Sequence, residues 1–194
     1  MAKRTSKSSP IADAWARIEC WFASNAKPLT KCLAKGATTD QIRKLETSLG
    51  VVLPDPFKRS LGIHDGAKRD GDMIPDDGIG SFYFLRCKDI VREWKTWNFV
   101  QACGDFNDTR ARPAKGIAKC WWNRGWIPFA SNAGDNLCID LAPSKGGIVG
   151  QIIEVRHDDP RRKLLAKSFD EWLRQLADTI ENGGIDYMLE EGYF

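Results

Sequence analysis

Apolar positions along the chain fall into segments of two different periods. Ile11, Trp15, Ile18 and Phe22 recur at spacings of 4, 3 and 4 residues, which places them on one face of a helix ending near Asn25, before Pro28. A second helix is predicted behind Thr38 and Gln41, which stand in capping-box spacing. Ile42, Leu45 and Leu49 form its stripe, and Gly50 suits the residue that ends it. Val51 to Pro54 reads as extended. Asp55 is expected to cap a short helix with Pro56 at its first position and Phe57 and Leu61 on its apolar side, ending around residues 64–66. Ile90, Trp94 and Trp97 predict a further helix over 88–97. The clearest pattern comes last: Phe169, Trp172, Leu173, Leu176, Ala177 and Ile180 lie behind Ser168 and Glu171, another capping-box pair, and Asn182-Gly183-Gly184 stops the helix.

Between these helices the pattern changes. Residues 81–87, 126–130, 136–141, 148–156 and 163–166 read as strands, with a turn at 132–135 and another in the stretch Ala142 to Gly147. In the fourth of them Val149, Ile153 and Val155 are expected on one face. Residues 66–80, rich in Gly, Pro and Asp, read as a long loop, and 98–116 show little period. Strands joined by short turns, flanked by helices, predict an α+β domain: an antiparallel sheet covered on one side by helices. The length of 194 residues fits a single domain with a self-sufficient core.

Charge adds local detail to this picture. The net charge is +3, from 29 Lys and Arg against 26 Asp and Glu. Lys3, Arg4 and Lys7 all fall in the first ten residues, which read as a disordered basic tail and leave the rest formally neutral. A neutral body is poorly suited to direct nucleic-acid binding, which needs a basic field to displace counterions. No apolar run is long enough to span a membrane, and no apolar segment follows the basic start as in a secretion signal. Two stretches depart from neutrality. Residues 65–77 hold five acids (Asp65, Asp70, Asp72, Asp76, Asp77) and two bases, whereas 105–124 hold five bases (Arg110, Arg112, Lys115, Lys119, Arg124) and two acids. Opposite local fields suit partner selection and fast encounter.

The catalytic inventory is thin. His64 and His157 are each followed by Asp, but no nucleophile motif accompanies them; His64 is expected at a helix end and His157 in a turn. The six cysteines form no C-x-x-C pair and are expected to be reduced, mostly buried thiols of a cytoplasmic protein. The Asp-rich stretch lacks the spacing of a calcium loop, and no phosphate-binding or zinc-protease motif occurs. No metal or cofactor is expected. Eight tryptophans raise the idea of a sugar-binding face. Trp15, Trp94, Trp97 and Trp172 belong to helix stripes, and Trp121, Trp122 and Trp126 are the candidates for it.

The order of several short motifs then points to a family. They include Gly36-Ala37-Thr38, Leu53-Pro54 with Phe57, and Ile63-His64-Asp65-Gly66. Trp126-Ile127-Pro128-Phe129-Ala130, Gly134-Asp135-Asn136 leading to Cys138-Ile139-Asp140-Leu141, the run 146–153, and Ser168-Phe169-Asp170-Glu171-Trp172-Leu173 follow in turn. Across residues 11–184 the chain resembles the SUKH superfamily, which includes bacterial immunity proteins and fungal cell-wall assembly regulators. The resemblance implies a curved, mainly antiparallel sheet with helices packed against it, and no enzyme activity. Residues 185–194 are then a C-terminal extension. Leu53, Pro54, Gly66, Trp126, Pro128 and Asp135 match the family framework, with Gly66 expected in a tight turn and Asp135 on a turn amide.

The leading expectation is a cytoplasmic immunity protein that binds and neutralises a cognate toxin. Asp70, Asp72, Asp76, Asp77, Arg110, Arg112 and Arg124 are its candidate contact residues. The alternatives are a regulatory or scaffold protein linked to cell-wall or glucan synthesis, and a small hydrolase or sugar-binding protein.

Overall fold

Ser9 opens the first helix, α1 (Pro10–Asn25), by accepting a hydrogen bond from the Ala12 amide, and Pro10 occupies the first turn, where a missing N–H costs least. Its buried side chains are Ile11, Ala14, Trp15, Ile18 and Phe22, which include the whole predicted stripe. The structure is a computed structural model and describes residues 9–68, 74–75, 81–106 and 109–183. Of the tail expected to be disordered over residues 1–10, residues 1–8 lie outside the described residues and Ser9 and Pro10 begin α1; residues 184–194 and most of the acidic loop also lie outside them.

A short helix, α2 (Lys27–Cys32), follows at once with Pro28 in its first turn. The sequence hides it, because six residues around one buried leucine, Leu29, carry no period. α3 (Thr39–Leu49) has the full capping box. The Gln41 amide donates to Thr38 Oγ1 at 3.2 Å, the Thr38 amide donates to Gln41 Oε1 at 2.8 Å, and Gly50 closes the helix. α4 (Asp55–Ile63) differs from expectation at its start: Pro54 is the cap, while Asp55 lies inside the first turn and pairs with Lys58 at 3.0 Å. α5 (Cys87–Ala102) runs past Trp97 into the stretch read as irregular. α6 (Phe169–Glu181) begins at Ser168, whose hydroxyl accepts from the Glu171 amide. The Glu171 carboxylate reaches back to the Lys167 amide rather than to Ser168. α1 lies along α6, and Arg17 ties them by pairing with Asp178 at 2.7 Å and with Glu181.

The strands are β1 (Ile74–Pro75), β2 (Ser81–Phe84), β3 (Arg112–Pro113), β4 (Trp126–Asn132), β5 (Asp135–Asp140), β6 (Gln151–Val155) and β7 (Arg161–Ala166), in the order β1-β2-β4-β5-β6-β7-β3. Every pairing is antiparallel except that of β3 with β7. β4 and β5 are joined through Ala133 (φ 47°) and Gly134 (φ 100°), the two positive angles that a tight hairpin turn of matching twist requires. The four central strands and the last helix are those the sequence predicts. β1, inside the stretch read as a loop, and β3 are new: each is two residues, one of them proline, too short to show alternation, and proline is tolerated there because both strands are edges. β6 starts later than predicted. Ile148 and Val149 belong to the preceding loop and are exposed (50% and 67%), and Val149 does not share the buried side of Ile153 and Val155.

The sheet is covered on both faces, not one. Trp126 to Ser131 and all five residues of β6 are buried in succession, which an antiparallel sheet with one wet face does not allow. On one face Phe129 packs against Phe57, Phe169 and Trp172, with ring centroids 6.0, 5.3 and 4.7 Å away. On the other, Trp126 meets Trp122 edge-on, and Trp122 stacks on Trp97 of α5 at 4.7 Å. Burial of each such ring contributes roughly 1.5–3 kcal/mol.

Candidate functional site

The basic stretch between α5 and β4 has almost no regular structure, so its backbone groups need partners from elsewhere. Side chains from α5, β6, β7 and the β5–β6 loop supply them, those of Trp94, Gln151 and Arg162 from the core. Gln151, buried at the start of β6, donates to the Gly116 carbonyl at 3.1 Å and to Asp140 Oδ2 at 2.8 Å. Ser144 donates to the Ile117 carbonyl at 3.0 Å. Gln101 donates to the Trp122 carbonyl at 3.1 Å, and the Trp94 indole to the Arg124 carbonyl at 2.8 Å. Arg162, only 1% exposed, donates to the Trp121 carbonyl at 2.7 Å and holds its guanidinium over the Trp121 ring at 4.7 Å. Burial lowers the Arg162 pKa and raises that of Asp140, because each charged form has lost water. The segment is thus fixed from beneath, while Arg110, Arg112, Lys115, Lys119 and Arg124 stay exposed on its outer side. Arg124 also leans over Trp94, 5.7 Å from the ring centre.

The acidic counterpart is placed differently. Asp70, Asp72, Asp76 and Asp77 lie outside the described residues. Asp65 does not belong with them. It is 5% exposed and accepts from the Cys87 amide at 2.7 Å, which caps α5 from a neighbouring loop; its other oxygen stands 3.6 Å from Arg86 Nε. The adjacent Gly66 has φ 66°, and a Cβ there would stand 2.5 Å from the Leu85 carbonyl; only glycine fits that approach. Burial, and next Asp65, pushes the Cys87 thiol well up, and burial does the same at Cys138 and Cys120. Such thiols are poor nucleophiles.

Neither histidine is poised for catalysis. His64 ends α4 and pairs its two ring nitrogens with the Ala34 carbonyl (3.0 Å) and Glu19 (2.8 Å), while its ring meets Trp15 edge-on at 4.7 Å. His157 sits in the β6–β7 turn, and Asp135 Oδ1 accepts from its amide at 2.9 Å and faces its Nδ1 at 2.8 Å. Asp135, His157 and Asp158 bring ligand atoms within 4.8 Å of one another, a set able to hold a cation, although Asp135 already serves the turn. Trp122 and Trp126 are fully buried and Trp121 lies under Arg162, so these three rings form no open sugar platform.

Of the remaining framework residues, Leu53 is buried and donates its amide to Glu46 at 2.8 Å. Pro54 lies against Gly150, and Pro128 faces Cys138 where β4 bulges. Sequence reading missed the buried set Asp140, Gln151 and Arg162. Their only signal was polarity inside apolar strands, which does not say whether a side chain turns outward or finds a partner.

A seven-stranded, mainly antiparallel sheet of this order with helices on both faces defines an α+β domain. The chain belongs to the SMI1 / KNR4 family (SUKH-1), whose model matches residues 36–175. It is similar to the glucan synthesis regulatory protein of Neurospora crassa, with 29% identity over 89% of this chain and 39% of that protein. It is 32% identical to the cell wall biosynthesis/cell cycle regulator smi1 of Schizosaccharomyces pombe, over 90% of this chain and 37% of that protein. With the cell wall assembly regulator SMI1 of Saccharomyces cerevisiae it shares 24% identity, over 88% of this chain and 40% of that protein. The chain therefore spans about two-fifths of these curated relatives. Among the described residues no helix is long and apolar enough to cross a membrane.

Proposed function

We propose that this chain is a regulatory or scaffold module that acts by binding proteins in the control of cell-wall glucan synthesis, in the cytoplasm and without catalysis of its own. The observation that carries this reading is the match to three proteins named as wall or glucan-synthesis regulators, each over about nine-tenths of the chain. The geometry agrees with it. Both imidazoles serve local structure, the buried thiols are protonated, and the exposed charge sits on a segment held rigid from below. Pre-organised charge of this kind reduces the ordering cost of binding a protein partner. The immunity-protein expectation draws no support from these relatives, so the regulator reading takes its place.

The test is a segment exchange. The matching part of the fission-yeast regulator is replaced by this chain, and resistance to wall-digesting enzymes is scored. Restored resistance, lost again when Arg110, Arg112 and Arg124 are changed to Glu, is expected. A stably expressed chimera that restores nothing overturns the proposal.

A further inference from the structure

A cleft of about 250 Å³ opens between α3 and the start of α5, apart from the basic segment. Leu45 and Val91 give it an apolar floor, and Lys44, Arg86 and Lys88 stand around it. The α3 contribution follows from helix geometry, since residues 41, 44, 45 and 48 share one face. The α5 side is set by Asp65, which caps the helix and so places Arg86 and Lys88 at the cleft.

The charge here is unbalanced. Among the described residues Asp65 is the one carboxylate in the lining, and it is committed to the Cys87 amide and to Arg86. Nearby Asp40 and Asp89 pair with Arg43 and Arg92. Among the described residues Lys44 and Lys88 have no carboxylate partner. Arg86 is 39% exposed, its Nε is buried without a hydrogen-bond partner, and its nearest anion is the 3.6 Å contact with Asp65. Three cations around one carboxylate leave an excess of two positive charges over an apolar floor.

We infer that this cleft receives a phosphorylated segment of a partner protein, its phosphate among Lys44, Arg86 and Lys88 and a neighbouring apolar side chain on Leu45 and Val91. A dianionic phosphate matches the charge excess, and guanidinium and ammonium groups make their strongest hydrogen bonds to such oxygens. The concave shape of the cleft favours a peptide over a membrane surface, which would meet a broad convex patch. The inference deepens the regulator reading and rests on it: phosphorylation of a partner would then switch its capture by this module.

The test uses the whole chain and a degenerate peptide library with one fixed phosphothreonine, beside the same library carrying threonine or glutamate. Expected is selective retention of the phosphorylated pool, with an apolar residue enriched next to the phosphothreonine. Lys44→Glu with Lys88→Glu should lower retention at least tenfold, and Lys145→Glu, on the β5–β6 loop and outside the cleft lining, should leave it unchanged. Both lysines are exposed, and a circular dichroism melt confirms folding of the variants. Equal retention of the three pools, or retention indifferent to the lysine reversals, overturns the proposal. So does binding of phosphoinositide vesicles through the same lysines with no peptide retention. If the segment exchange restores wall resistance while the lysine reversals leave it intact and no phosphopeptide is retained, the cleft assignment fails and the regulator reading stands.

Discussion

On one face of the sheet Phe129 meets Phe57, Phe169 and Trp172. On the other, Trp126 shares its layer with Asp140, Gln151, Asn136 and Arg162, all buried. The first face is held by interlocked rings that any sequence of similar volume could approximate. The second contains charges and amides that are tolerable in the interior only while each keeps its partner. Those partners include carbonyls of the loop between α5 and β4, so the second face stabilises the fold less efficiently but fixes a loop in one conformation. The apolar face supplies cohesion, and the polar face holds an irregular, basic segment in one conformation.

The largest expected effect belongs to the apolar face. Phe129→Ala should destabilise the protein by about 3–5 kcal/mol, the usual range for removing a buried ring, read as a lower urea midpoint. The loss should be global, with no region loosened ahead of the rest. Gln151→Leu should cost less, about 1–3 kcal/mol in all, because the Gly116 carbonyl keeps the Ser144 amide and Asp140 keeps the Ala142 amide as donors. Here the distinguishing readout is hydrogen exchange. Amides of residues 114–124 should exchange faster while those of α6 keep their protection. Uniform exchange in Gln151→Leu would show that the two faces do not divide the work in this way.

The sequence made the apolar face legible and left the polar one obscure. Helix stripes such as Phe169, Trp172 and Leu176 announce their burial through spacing, and Thr38 with Gln41 marks a cap by residue type alone. Asp140 and Gln151 offer no such cue. A polar residue at a strand end is ordinarily solvated, and only the assembled fold shows that Asp140 and Gln151 bond each other and a loop carbonyl. Asp65 misled for a related reason. It looks like one acid in an acidic run, yet its role is set by Cys87, 22 residues away. The cleft between α3 and α5 was invisible for the same cause, since Lys44 and Lys88 are neighbours only in space.

A smaller effect concerns the thiols. Iodoacetamide on the native protein should label exposed Cys20 and Cys103 first and Cys138, fully buried, last, with mass spectrometry giving the order. Early labelling of Cys138 would mean that the polar face opens more readily than its hydrogen bonds suggest. Reversing Arg124 to Glu should shift stability by no more than about 0.5 kcal/mol, because the side chain is exposed. A larger loss would assign it a structural role through Trp94 rather than a display role.

The smallest effect separates a rim carboxylate from a buried one. Asp159 accepts from the Arg161 amide at 2.7 Å and from its guanidinium at 2.8 Å, and these bonds lower its pKa from 3.8 to about 2. A carboxylate whose pKa is lower in the folded state adds stability that is fully present above the ordinary value and is lost as pH falls through the folded one. Asp140 has the opposite sign. Burial raises its pKa above 3.8, so its contribution weakens as pH rises through that region. Subtracting the urea-midpoint profile of Asp159→Asn from that of the native chain isolates the rim. The difference should be constant above pH 4 and shrink between 3.8 and about 2. A difference that instead grows as the pH falls would mean that Asp159 is held as the buried Asp140 is, and the contrast between rim and interior would fail at this position.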